Sequence, residues 1–182
     1  MNAKILSVVV LGVAGLVGCA SDRAPDVAAN IRNSLKQAGL NDVSVSQDRE
    51  KGVVTLGGNV NQDADKARAE QIAKPLAAGQ VVSDQIAVLP PNNSSEAKTV
   101  NSDLDKGIQA NLDAALLKAN YKSVHHSTTN GVVTLTGDLS TPARRADVER
   151  IATTVPNVKQ VVNEITVKNQ RATTSSADRS KQ

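Results

Sequence analysis

The sequence predicts an α+β protein built from two tandem small α-β-β-α-β domains behind a signal peptide. Three observations predict this. The stretch GVVTLGGNV starts at Gly52 and returns as GVVTLTGDL at Gly131, an offset of 79 residues. Residues 52–88 then align with 131–167 without a gap, keeping Thr55, Leu56, Gly58, Glu70, Ile72, Ala73, Val82, Ile86 and Val88 in register. Within each copy the apolar residues pass from helical spacing to strand alternation and back. Most of the retained residues are apolar or Gly, so the duplication has preserved a fold and no visible set of reactive groups.

The N-terminus comes first in the chain. MNAKILSVVVLGVAGLVGC places Lys4 ahead of an apolar run over 5–17 and ends in small residues before Cys19. Residues 1–18 read as a signal peptide whose apolar run is too short for a membrane span. The ending LVGC resembles the bacterial lipobox, in which the Cys thiol is acylated and becomes the mature N-terminus. That resemblance makes 1–18 a lipoprotein signal peptide and Cys19 the lipidation site. Ala20 after the Cys implies, by the same resemblance, sorting to the outer membrane, facing the periplasm. Cys19 is the only Cys, so no disulfide forms within the chain.

The first domain spans 24–89. Asp26 is expected to cap a helix with Val27, Ile31, Leu35 and Ala38 on one face and Gly39 as its stop. Val43 and Val45 alternate with Ser44 and Ser46 as in a half-buried strand. REKG turns the chain into the quoted strand, where Val53, Thr55 and Gly57 face one way and Val54, Leu56 and Gly58 the other. Asn61 is expected to cap a second helix carrying Ala69, Ile72, Ala73 and Leu76. VVSDQIAV closes the unit. PPNNSSEAKTV lies within 90–102, which reads as a linker.

The second domain spans 103–168 in the same order. Ser102 or Asp103 is expected to cap a helix with Leu104, Ile108, Leu112 and Leu116 inward, leaving Leu117 off that stripe. Val124 opens a strand that ends in the turn TTNG, where Asn130-Gly131 tolerates positive φ. Thr141 with Pro142 starts the last helix. Residues 169–182 are polar and without periodicity and read as a disordered tail.

Together these pieces resemble the BON domain family. The signature lies in GVVTLGGNV and GVVTLTGDL with Gly58 and Gly137, in the helices ending Ile72-Ala73 and Ile151-Ala152, and in the closing VVSDQIAV and QVVNEITV. Two copies behind a lipobox resemble the dual-BON outer-membrane lipoproteins of Gram-negative bacteria. The resemblance implies a non-enzymatic protein that binds membrane phospholipid and supports envelope integrity or stress tolerance. It implies no cofactor. It places lipid contact on the first helix of the second domain, which here offers Lys106, Leu117, Lys118, Tyr121 and Lys122. An aromatic residue belongs to that contact, and Tyr121 is the only one available. From Asp103 to Lys168 eight Lys/Arg face seven Asp/Glu, so net attraction to an anionic surface is weak and a plain solvated helix stays open as a reading. A periplasmic protein–protein adaptor for envelope machinery is the alternative function, with envelope proteins as partners.

Composition narrows the rest. The 182 residues are 40% hydrophobic, with no Phe, no Trp and one Tyr, so Val, Ile, Leu and Ala must fill two small cores. The net charge of +3 is slight and no aromatic platform exists for single-stranded nucleic acid. His125 and His126 are neighbours on a strand, point to opposite faces and cannot share one metal. Asp63 and Asp65 suit the positive end of a helix better than acid–base work. Gly57-Gly58 lacks the spacing and Lys of a phosphate loop. Arg144, Arg145 and Arg150, offset by Asp147 and Glu149, read as a solvated face.

Overall fold

A computed structural model describes residues 23–167 and the backbone of 173–176. The signal peptide, Cys19 and the rest of the tail lie outside the described residues. The first domain runs α1 (Ala28–Gln37), β1 (Val43–Asp48), β2 (Val53–Val60), α2 (Asp63–Leu76), β3 (Val81–Asp84) and β4 (Ala87–Val88). The second runs α3 (Ser94–Lys118), β5 (Val124–Thr129), β6 (Val132–Gly137), α4 (Pro142–Thr153), β7 (Gln160–Asn163) and β8 (Thr173–Ser176). The expected element order holds in both, with an extra strand at the end.

Each sheet is mixed. β1 pairs antiparallel with β2, and β3 and β4 return parallel to β2 after the α2 crossover. β5, β6 and β7 repeat this arrangement. The alternation in the quoted strand decides what each face does. Val54 and Leu56 face α1 and α2 and join Ile31, Leu35, Ala69, Ala73 and Ile86 in one core. Val133 and Leu135 do the same with Ile108, Leu112, Leu116, Val148 and Ile165. On the opposite face Val53 meets Val132 and Val162, with Val81 beside them, so the two sheets pack back to back through a small apolar patch.

That contact has approximate two-fold logic. Lys51, in the first turn, donates to the Glu164 carbonyl at 3.2 Å, and Asn130, its counterpart in the second turn, donates to the Gln85 carbonyl at 2.9 Å. Gln85 and Glu164 are themselves counterparts at the offset of 79. Each domain therefore reaches from its turn to the same place on the other. Gln160 breaks the symmetry: its amide accepts from Asp84 N–H at 3.1 Å and donates to the Val82 carbonyl at 2.8 Å, satisfying backbone groups of β3.

Gly58 and Gly137 show why the motif needs its glycines. They have φ of +86° and +126°, and a Cβ would lie 2.0 Å from the Asp42 carbonyl oxygen and 2.4 Å from that of Ser123. Only a residue without Cβ lets the strand end pass so close to its neighbour.

Several expectations are corrected. The linker 90–102 is short, because α3 starts at Ser94 with Asn93 preceding it, and neither Ser102 nor Asp103 is a cap. After Pro90-Pro91 nothing breaks a helix, and Glu96, Ala97 and Lys98 favour one. Leu104 is 41% exposed because it lies on this overhang, one turn before the core begins at Ile108. Asp26 does not cap α1; the Gln47 side chain from β1 instead accepts from Val27 and Ala28 N–H. Gln62, and not Asn61, precedes α2, with no side-chain cap. Thr141 caps α4 as expected, accepting from Arg144 N–H at 3.3 Å. Within the tail, 173–176 pair antiparallel with β7, whose outer edge would otherwise stay unpaired.

The two hairpins also differ in length. Gly58 is opposite Val43, whereas Gly137 is opposite Val124. Four residues, REKG, join β1 to β2, but Thr128 and Thr129 belong to β5, and Asn130-Gly131 alone makes the second turn, with φ of 52° and 83°. Upstream of the turn the domains are therefore offset by 81 residues, so Tyr121 matches Leu40 and His126 matches Val45.

Candidate functional site

The C-terminal end of α3 carries the most exposed large apolar side chain among the described residues, Leu117, at 67% exposure. Ile108, Leu112 and Leu116 turn inward at helical spacing, which forces Leu117 out. Asn120 stops the helix with φ of 62°, the conformation Gly39 supplies in the first domain. Lys118 and Lys122 are exposed on either side of that stop.

Tyr121 does not sit on this surface as expected. It is 8% exposed and belongs to the second core, because it takes the place that Leu40 has in the first. Its hydroxyl donates to Asp147 Oδ2 at 2.8 Å, and the Arg144 guanidinium lies 5.2 Å from the ring centroid. Burial, then the Asp147 carboxylate, push the Tyr121 phenol above its ordinary pKa. Asp147 is held below the usual carboxylate range, by the Tyr121 hydroxyl first and Arg150 next. Arg150 also pairs with Asp147 directly.

The ring thus links two helices. Arg144 of α4 lies over it and Arg150 is held through Asp147, while Leu117 and Lys118 at the end of α3, and Lys122 just beyond it, are exposed within four residues of Tyr121 in the chain. Asp113, one turn earlier, is turned toward β5, where it meets His126 Nε2 at 2.9 Å. The sequence pointed to the α3 residues; the two arginines were read as a solvated face, and only the fold carries them to Tyr121. Arg145 leaves that group altogether, being 4% exposed with its guanidinium on the Asn163 carbonyl at 2.8 Å.

Lys106 does not join this patch. It precedes Leu117 by 11 residues, about 16 Å along a helix at ~1.5 Å per residue. It pairs with Asp103 at 3.1 Å and lines a cleft beside the first domain. Asp63 and Asp65 occupy the first turn of α2, as expected. His125 is exposed and the His126 side chain is 7% exposed, in keeping with opposite faces of one strand. Among the described residues no group of three or more His, Cys, Asp or Glu side chains could hold a metal, and no helix is long and apolar enough to cross a membrane.

The BON domain family matches residues 24–90 and 104–169. The chain is 32% identical over 130 residues to osmotically-inducible protein Y of Escherichia coli K12. That match takes in 70% of this chain but only 62% of the relative's length. Among solved structures, the C-terminal domain of CdsD, a structural protein of the type III secretion system of Chlamydia trachomatis, is 15% identical at a TM-score of 0.32, over 78% of this chain and 96% of that one. A second CdsD structure is also 15% identical, at a TM-score of 0.35, over 79% and 92% of the two chains.

Proposed function

Because the chain belongs to the BON domain family, we propose that it is a non-enzymatic protein of the bacterial envelope that serves in stress, including osmotic stress. In this reading the Cys19 acyl group anchors it to the outer membrane from the periplasmic side. The end of the second domain then binds anionic phospholipid. One observation carries the lipid reading: Leu117, Lys118 and Lys122 are exposed within four residues of Tyr121, whose ring carries Arg144 and whose partner Asp147 holds Arg150. Each cation near an anionic surface contributes about 1 kcal/mol, and the leucine adds acyl contact. Arg144, over the Tyr121 ring, adds a cation from α4 to those near the end of α3. Tyr121 supports the patch from beneath and does not touch lipid.

A protein partner is the second reading, favoured by the other end of α3. Val100 and Leu104 are 56% and 41% exposed there. Glu96 and Asp103 stand near them with Lys98 and Lys106, so this stretch of helix is charge-balanced and offers no net attraction to an anionic membrane.

Sedimentation with vesicles separates the two. The chain from Ala20 to Gln182 should sediment with phosphatidylglycerol vesicles and be released by high salt. Leu117→Asp together with Arg144→Glu should weaken binding by tenfold or more, roughly 1.4 kcal/mol. No sedimentation at any anionic fraction would remove the lipid mechanism and favour the adaptor. Cys19→Ala should release the full-length protein from the membrane; retention would refute acylation as its anchor.

A further inference from the structure

A cleft of about 300 Å³ lies between β4 of the first domain and the overhanging half of α3. It exists because the domains differ at matching positions. In the first domain the segment before α1 folds over the sheet edge. Ala24, 1% exposed, donates its N–H to the Arg49 carbonyl, and Gln47 bonds the Pro25 carbonyl and the first N–H groups of α1. In the second domain the chain upstream of Ile108 continues as helix, so no such segment arrives. Asp105 instead accepts from the Asn130 and Gly131 N–H groups at 2.8 Å each, and the space beside it stays open.

Thr128 occupies the Gln47 position and lines this space. It is 8% exposed, yet its Oγ1 is buried without any hydrogen-bond partner. A buried hydroxyl left in that state carries a desolvation cost that a ligand can relieve. A χ1 rotation, exchanging the hydroxyl with the methyl, would present it to the cleft.

We propose that this interdomain cleft binds a small neutral, hydroxyl-rich ligand of the saccharide class. The side chains of Asn101 and Gln109 make no hydrogen bond with a described residue and offer both amide donors and acceptors. Sugar hydroxyls, which donate and accept alike, match such a lining. Charge of both signs lines the cleft: Lys106 is held by Asp103, and Lys98 and Asp105 are both among the lining residues. Ala87 and Leu89 supply an apolar wall for a sugar's C–H face. The volume suits one or two rings. Without an aromatic platform the affinity is modest, with a Kd on the order of millimolar.

The test is an amide-resolved NMR titration of the chain from Ala20 to Gln182, which contains every described residue. The probes are glucose, N-acetylglucosamine and trehalose, with inorganic phosphate as the charged comparison. Saturable shifts at Asn101, Gln109 and Thr128 are expected from at least one sugar. Thr128→Val should weaken binding about tenfold, while Gln109→Ala, at a partly exposed helix position, weakens it less. Since Thr128→Val removes an unpaired buried hydroxyl, its thermal midpoint should hold or rise, which separates lost binding from lost folding. The proposal is overturned by no saturable shift with any of the three sugars, by saturation at an unchanged sugar concentration in Thr128→Val, or by saturation of the cleft with phosphate alone.

Discussion

Lys66 in the first domain and Arg145 in the second stand at the same position of the duplicated fold, and so do Asp84 and Asn163. The first domain buries an ion pair there. Lys66 Nζ lies 3.7 Å from Asp84 Oδ1 and donates to the Ile86 carbonyl at 2.7 Å, while the carboxylate accepts from Ile86 N–H. The second domain places Arg145 there with an amide in place of the carboxylate, and the half-buried Glu149 attracts the guanidinium and accepts from the amide at 3.0 Å. Arg145 donates to the Asn163 carbonyl, Asn163 returns a bond to the Arg145 carbonyl at 3.2 Å, and the Asn163 side chain accepts from Ile165 N–H. The geometry that ties the second helix to the closing strand is retained, yet its electrostatics have changed. Burial lowers Lys66 and raises Asp84, in both cases ahead of their mutual attraction. Desolvation therefore outweighs attraction within the pair, so its contribution to the fold is to satisfy backbone groups. The Asn163 amide satisfies the corresponding backbone groups without the buried carboxylate of Asp84.

The largest effect expected breaks this comparison directly. Lys66→Met leaves a carboxylate buried without its cation and should cost about 3 kcal/mol at neutral pH in a denaturant titration. Arg145→Met leaves an amide and the half-buried Glu149, whose carboxylate still accepts from Asn163, and should cost about 1–2 kcal/mol. Because the folded Asp84 carboxyl sits above its ordinary value, the Lys66→Met loss should shrink as pH falls and the acid takes up its proton. Equal losses in the two variants, flat with pH, would show that charge is not what separates the domains.

The middle effect restores a match between them. His126 stands where the first domain has Val45, with Nδ1 buried and unpartnered and Nε2 on the exposed Asp113. His126→Val should raise stability by about 1 kcal/mol, or about 2–4 °C in the melting midpoint. A drop instead would mean that the Asp113 contact is worth more than the orphaned nitrogen costs.

This pair also shows what could be read in advance. Beyond Gly52 the offset of 79 has no gap, so Val54, Leu56, Val133 and Leu135 identify themselves as core by alternation and repetition together. Within the turn two residues are missing from the second copy, and the upstream register that equates Tyr121 with Leu40 is hidden by that deletion. An aromatic beside two lysines then looks like a surface residue. The overhang of α3 was hidden for a different reason. Residues 94–102 carry no apolar period, and they are helical because they continue a helix that Ile108, Leu112 and Leu116 anchor. The TTSS strand has no signal of its own; an unpaired β7 edge supplies it. Arg144 and Arg150 reach the α3 end only through packing of α4, which no local pattern encodes.

The smallest effect sharpens the Tyr121–Leu40 correspondence, since only the second domain titrates at that position. The chain has one Tyr and no Trp, so phenolate absorbance reports Tyr121 alone. In the folded protein it should ionise above pH 10, with burial and Asp147 holding the proton on. The folded state then keeps a proton that the unfolded chain releases near pH 10. Stability from this contact is accordingly complete below that pH and lost as pH rises through the folded value. Tyr121→Phe should cost about 0.5–1.5 kcal/mol at neutral pH and abolish that alkaline loss. It should leave vesicle binding nearly intact, because the ring under Arg144 remains. Ionisation at the ordinary value would place Tyr121 in solvent and return it to the lipid surface that the sequence suggested.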